Sequence, residues 1–98
     1  MQDLATGTNI HASRIEADVR TLIGLVINET SELKTRCIAT HTRLVIEVDA
    51  GEQTRLIIGR EGSNVKRLRH IMDIIGNKHR RINGSPYLKI DVDIIDNR

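Results

Sequence analysis

The stretch Ile57-Ile58-Gly59-Arg60-Glu61-Gly62-Ser63-Asn64-Val65-Lys66-Arg67-Leu68 carries the residues with the most chemistry to offer. Two glycines bracket an arginine and a glutamate, with aliphatic residues on both sides and cations behind. Glycine accepts positive φ and has no Cβ, so another backbone can approach it closely. A helix opening after Gly62 would turn free N–H groups and its positive dipole end toward an anion such as a phosphate. Arg60 adds charge at the turn, and Lys66, Arg67 and Arg69 extend it. A surface of this kind grips a sugar–phosphate backbone at the glycines and packs bases on nearby aliphatic side chains. A bare G-x-x-G is also what a plain helix–turn–helix connection contains. The flanking aliphatics, the basic side chains and the order of elements set this one apart.

Other candidate chemistry is thinner. His11, His41, His70 and His79 are scattered, and none forms an i, i+4 metal-ligand pair. Asp91 and Asp93 share a strand face, which is the usual solvent side of an amphipathic strand. Cys37, the single cysteine, reads as a buried small hydrophobe rather than a nucleophile. No Ser, His and acid are spaced as a triad, and no phosphate-loop or dinucleotide fingerprint is present. The expectation is a binding module with no catalytic residue, no metal and no cofactor.

Charge points the same way. The 98 residues carry a net charge of only +2. Residues 55–81, however, hold eight basic side chains against Glu61 and Asp73, a segment at +6, while 1–54 come to −3 and 82–98 to −1. An asymmetry of this size suggests an anionic partner. Tyr87 is the only aromatic, which argues against modules that stack bases on aromatic platforms. The longest uncharged apolar run is six residues, against about 20 for a membrane span. The start of the chain lacks the basic and apolar regions of a secretory signal. With one cysteine, a reduced, cytoplasmic setting is expected.

The elements that must position the glycine loop follow from periodicity. Residues 1–12 show no period and are expected to be a flexible tail. Ser13 and Glu16 have the capping-box form, and Ile15, Val19, Leu22, Ile23 and Val26 recur at helical spacing, so a helix is predicted over 13–28. Two strands are predicted, 34–40 and 42–49, joined by a turn at 40–42. In the second, Leu44, Ile46 and Val48 alternate with Arg43, Val45 and Glu47. In the first, either Cys37 and Ala39 or Arg36 and Ile38 face inward. A short helix over 53–58 should stop at Gly59. Ser63 is placed to cap another, with Val65, Leu68, Met72 and Ile75 on one face. The later part of 76–85 reads as a basic loop, with Lys78, Arg80 and Arg81. A last strand over 87–95 should point Leu88, Ile90, Val92 and Ile94 inward. The expected fold class is α+β, in the order α-β-β-α-α-β, with a three-stranded sheet packed against helices on one face.

The glycine segment resembles the KH domain signature: Ile-Ile-Gly-x-x-Gly-x-x-aliphatic-basic-x-aliphatic between two helices. With the extra helix and strand placed N-terminal, the order resembles the type II arrangement of prokaryotic KH domains, over roughly residues 13–95. It is most similar to small stand-alone bacterial KH proteins of the KhpA kind and to the KH segment of Jag-type proteins. The resemblance implies one KH-like domain over 13–98 that clamps about four nucleotides of single-stranded RNA, with single-stranded DNA as an alternative. It implies that Gly59 and Gly62 are the clamp, Arg60 a backbone contact, and 76–85 the variable loop. The RNA-binding set would be Ile58, Gly59, Arg60, Glu61, Gly62, Ser63, Asn64, Lys66, Arg67, Arg69, Arg80 and Arg81. It also implies pairing, as a homodimer or a heterodimer with another KH protein. Glu61 departs from the family, whose slot there often carries a basic or neutral residue. Two rival readings are a protein-interaction or dimerisation module with weak or no nucleic-acid binding, and an enzyme whose loop cradles a mononucleotide.

Overall fold

The computed structural model describes residues 9–96. Helix α1 (Ile10–Gly24) opens at Asn9, whose side chain accepts the Ala12 N–H at 2.8 Å. The helix therefore starts a turn before Ser13. Asn9 is as good a cap as serine, and its amide also donates to the Tyr87 hydroxyl at 2.8 Å, which ties the helix start to the far end of the chain. Residues 10–12 of the expected tail are thus helical, while 1–8 lie outside the described residues. The helix also stops earlier than expected. Past Gly24 the chain turns with Leu25 exposed and Ile27 buried. Gln53 clasps the next stretch: its Oε1 accepts from the N–H groups of Asn28 (2.7 Å) and Glu29 (3.1 Å), and its Nε2 donates to the Glu29 carbonyl.

Strands β1 (Lys34–Ala39) and β2 (Arg43–Asp49) form an antiparallel hairpin, its turn closed by the Thr40 N–H donating to the Arg43 carbonyl at 2.9 Å. Strand β3 (Lys89–Ile94) pairs with β2 in parallel, Leu44 opposite Ile90 and Ile46 opposite Val92. The result is a three-stranded mixed sheet in the order β1-β2-β3, so β2 is central. Parallel pairing requires a crossover. It is made by a 3-10 turn (Gly51–Gln53), α2 (Thr54–Ile58), a second 3-10 turn (Arg60–Gly62) and α3 (Ser63–Asn83). The fold is α+β, with three helices.

Leu44, Ile46 and Val48 of β2 are fully buried under the helices, against Ile15, Val19 and Ile23 of α1, Ile57 of α2 and Leu68 and Met72 of α3. On β1 the inward parity is Cys37 and Ala39. Burial, reinforced by the nearby Glu16 charge, pushes the Cys37 thiol up to about 12. The opposite face of the sheet carries two ion pairs, Arg36–Glu47 at 2.7 Å and Arg43–Asp91 at 2.6 Å.

Three expectations about the C-terminal half are corrected. Ser63 is the first helical residue of α3, not its cap; Gly62 holds the cap position and no side chain closes it. Residues 76–83 are helix rather than loop. Gly76 is buried in α3, and a Cβ there would meet Ile90 Cδ1 at 3.0 Å, so its small size serves close helix–strand packing. His79 is buried too, with Nε2 2.7 Å from Asp18 Oδ2 and Nδ1 2.9 Å from Asn83 Nδ2, which joins α3 to α1. The helix ends only at Gly84, in the left-handed conformation (φ 69°) that closes many helices. Finally, Leu88 is 68% exposed instead of facing inward. Pairing starts one residue later, and the Leu88 N–H is drawn to the Thr42 carbonyl at 2.7 Å.

Candidate functional site

The glycine loop is a rigid corner between α2 and α3. Gly59 ends α2 at φ 74°, ψ 176°, a combination essentially reserved for glycine. Its N–H still donates to the Arg55 carbonyl at 2.9 Å. A Cβ on Gly59 would sit 2.8 Å from the Asn64 side chain and 2.9 Å from its backbone nitrogen, so the close approach excludes any larger residue. Asn64 Nδ2 in turn donates to the Leu56 carbonyl at 2.8 Å, which locks the start of α3 onto the end of α2. Glu61 (φ 55°) and Gly62 (φ 76°) both lie in the left-handed region, and the Gly62 N–H donates to the Gly59 carbonyl at 3.3 Å. The outcome is a tight turn with Arg60 and Glu61 exposed at its tip, next to the N-terminal end of a 21-residue helix. Ile57 is buried and Ile58 half-buried, so α2 is anchored by one and presents the other.

Two depressions adjoin β3. One lies on the helix-free face of the sheet, lined by Arg43, Val45, Lys89, Asp91 and Asp93, with Arg69 of α3 reaching it round the strand edge. The other, of about 280 Å³, is lined by Met72, Asp73, Gly76, Asn77 and Arg80 of α3 against Leu88 and Ile90. Because β3 is an edge strand, backbone groups on its far side have no strand partner.

The expected site residues divide between these places. Ile58, Gly59, Arg60, Glu61, Gly62 and Ser63 form the corner, and Asn64 serves it internally through its bond to Leu56. Arg69 reaches the cleft. Lys66 and Arg67 instead border a shallow depression with His70 and Ile71, away from β3. Arg80 lines the second cleft but is committed: Nη1 donates to the carbonyls of Tyr87 (2.7 Å) and Leu88 (3.2 Å), and Nη2 donates to Asn77 Oδ1. It fastens the end of α3 to the strand entrance. Arg81 and Lys78 are exposed on the helix, not on a loop. Sequence reasoning missed Arg43 and Lys89, which the parallel register sets side by side at the cleft. Nothing in their spacing announces that pairing.

No group of three or more His, Cys, Asp or Glu among the described residues is placed to hold a metal ion. No helix among them is long and apolar enough to cross a membrane. Comparison of the chain with protein-family models, with curated proteins and with solved structures finds no match.

Proposed function

We propose that this chain is a type II KH-like domain that binds single-stranded RNA, with the Gly59–Gly62 turn as the clamp on the sugar–phosphate backbone. The observation that carries the reading is the tight corner. Gly59, in a conformation reserved for glycine, and Gly62, in the left-handed region, present Arg60, and a long helix starts immediately behind them. Phosphates would meet the guanidinium and the first N–H groups of α3. The strand of nucleotides would then pass Arg69 toward the edge of β3, with bases against the exposed Leu88.

The test is Arg60→Asp. The substitution puts a second acid beside Glu61 where the backbone would pass. Arg60 is exposed and makes no side-chain hydrogen bond or ion pair, so stability should change by less than about 0.5 kcal/mol. Circular dichroism and a titration with a labelled mixed-sequence RNA on the same samples decide it. The expected result is an unchanged fold with binding lost. A folded variant that binds RNA like the parent would remove the loop from the ligand's path.

A further inference from the structure

α3 has a second functional surface, opposite the one just described. Leu68, Met72, Gly76 and His79 bury one side of the helix. On the other side Arg67, Ile71, Ile74, Lys78 and Ile82 fall in a single line at i+4, i+3, i+4, i+4, with Arg81 beside it. Ile74 is 57% exposed and Ile82 65%, and Ile71 borders the depression with Lys66, Arg67 and His70. Large apolar residues repeated along an exposed line mark an interaction surface more often than isolated ones do.

Charge narrows the partner. None of Arg67, Lys78 and Arg81 makes a side-chain hydrogen bond or ion pair with the described residues, and the line contains no acid; Asp73 lies on the cleft side. The sheet arginines, by contrast, are each paired with a carboxylate. A second copy of this chain docked here would bring no carboxylate, since the line contains none, and would leave the cations of both copies unneutralised. A lipid surface needs a continuous apolar strip, and Arg67 and Lys78 stand within this one rather than at its borders. A single strand of nucleic acid would satisfy the cations, and loss of RNA binding on substitution of these isoleucines is the outcome that would assign the surface to it instead.

We infer that the outward line of α3 docks an acidic amphipathic helix from another protein. Its apolar residues at i, i+3, i+4 spacing would pack between Ile71, Ile74 and Ile82, and flanking glutamates would face Arg67, Lys78 and Arg81. This surface is distinct from the cleft and does not require RNA to bind there.

The probe is a synthetic helix of about 18 residues, long enough to cover the roughly 22 Å from Arg67 to Ile82. It carries leucines on one face and glutamates beside them; a control peptide carries lysines in place of the glutamates. Titrated into the isotopically labelled full chain, the acidic peptide should shift amide resonances of residues 67–82 on the outward line and bind at least about tenfold tighter than the control. Ile74→Ser and Ile82→Ser, both at exposed sites, should abolish that binding in a chain whose spectrum stays folded. Arg60→Asp should leave it unchanged, so failure of the RNA reading and failure of this one are separable. The inference is overturned by equal affinity for the two peptides, by no binding, or by shifts confined to the glycine corner. It is equally overturned if the Ile74→Ser, Ile82→Ser chain binds the acidic peptide as before or loses RNA or anionic-vesicle binding instead.

Discussion

Glu61 is the only residue other than glycine at positive φ among the described residues. An L side chain held there costs about 1 kcal/mol or more, and this one also places a negative charge where a phosphate would approach. Replacing it with glycine removes both. Glu61→Gly should leave thermal stability equal or higher and tighten RNA binding, read by melting and by titration. Gly59 behaves oppositely. Gly59→Ala combines a forbidden backbone conformation with a 2.8 Å clash against Asn64, and a loss above about 3 kcal/mol is expected in a urea titration. Cys37 offers a chemical readout of the core. With its thiol raised to about 12, the folded chain should resist thiol reagents at pH 8 and react only once denatured. The sign of the linkage follows. The unfolded thiol ionises near 9.0 and the folded one at about 12, so the unfolded state holds fewer protons between them. Stability is therefore intact below pH 9 and declines as pH climbs toward 12. An alanine at position 37 should flatten that decline in alkaline melts.

At the scale of elements, the end of α3 is set by Gly84. Gly84 stands at φ 69° with open space around it, so an added methyl meets no neighbour and acts through the backbone alone. Gly84→Ala should cost about 1 kcal/mol and lower Tm by about 5 °C, while Gly84→Asn should cost less. The same helix shows where sequence reasoning reached and where it stopped. The hairpin was legible because Leu44, Ile46 and Val48 alternate cleanly, and the glycine corner because only glycine suits it. Residues 76–83 were not legible as helix. Gly76 lets Ile90 come close within the helix, and Lys78 and Arg81 read as loop residues because they are basic and face water. The start of α1 was missed for a related reason. Asn9 is a sufficient cap by itself, but its choice over Ser13 is fixed by Tyr87, a residue at the other end of the chain. Arg80 was assigned to a ligand because its bonds to Tyr87 and Leu88 carbonyls exist only after folding.

Over the whole molecule, charge is sorted by element. The crossover carries the positive excess, while Glu47 of β2 and Asp91 of β3 neutralise the arginines of the neighbouring strands β1 and β2. RNA binding through the corner and cleft would engage about three to five cations, Arg60 and Arg69 among them. The logarithm of the association constant should then fall against the logarithm of salt with a slope of about −2 to −3.5. A titration series across salt concentrations measures it, and a flat line would exclude phosphate contact as the source of affinity. Arg60→Asp should lower whatever slope remains, whereas Ile74→Ser should leave it alone.

The parallel pairing of β3 with β2 also fixes an order in time. The hairpin closes over three residues, and α1 can settle on it from nearby in the chain. β3 finds its place only after the whole α2–α3 crossover has been laid down, because Lys89 must reach Arg43. Loop closure over that span comes late and slowly. Until then β2 offers a naked edge to any strand of matching pattern. The nearest such strand in a concentrated solution is the β3 of a neighbouring molecule, and it hangs on a short connection after Gly84. Exchange of β3 between two folding chains is therefore the misassembly to which this topology is most exposed.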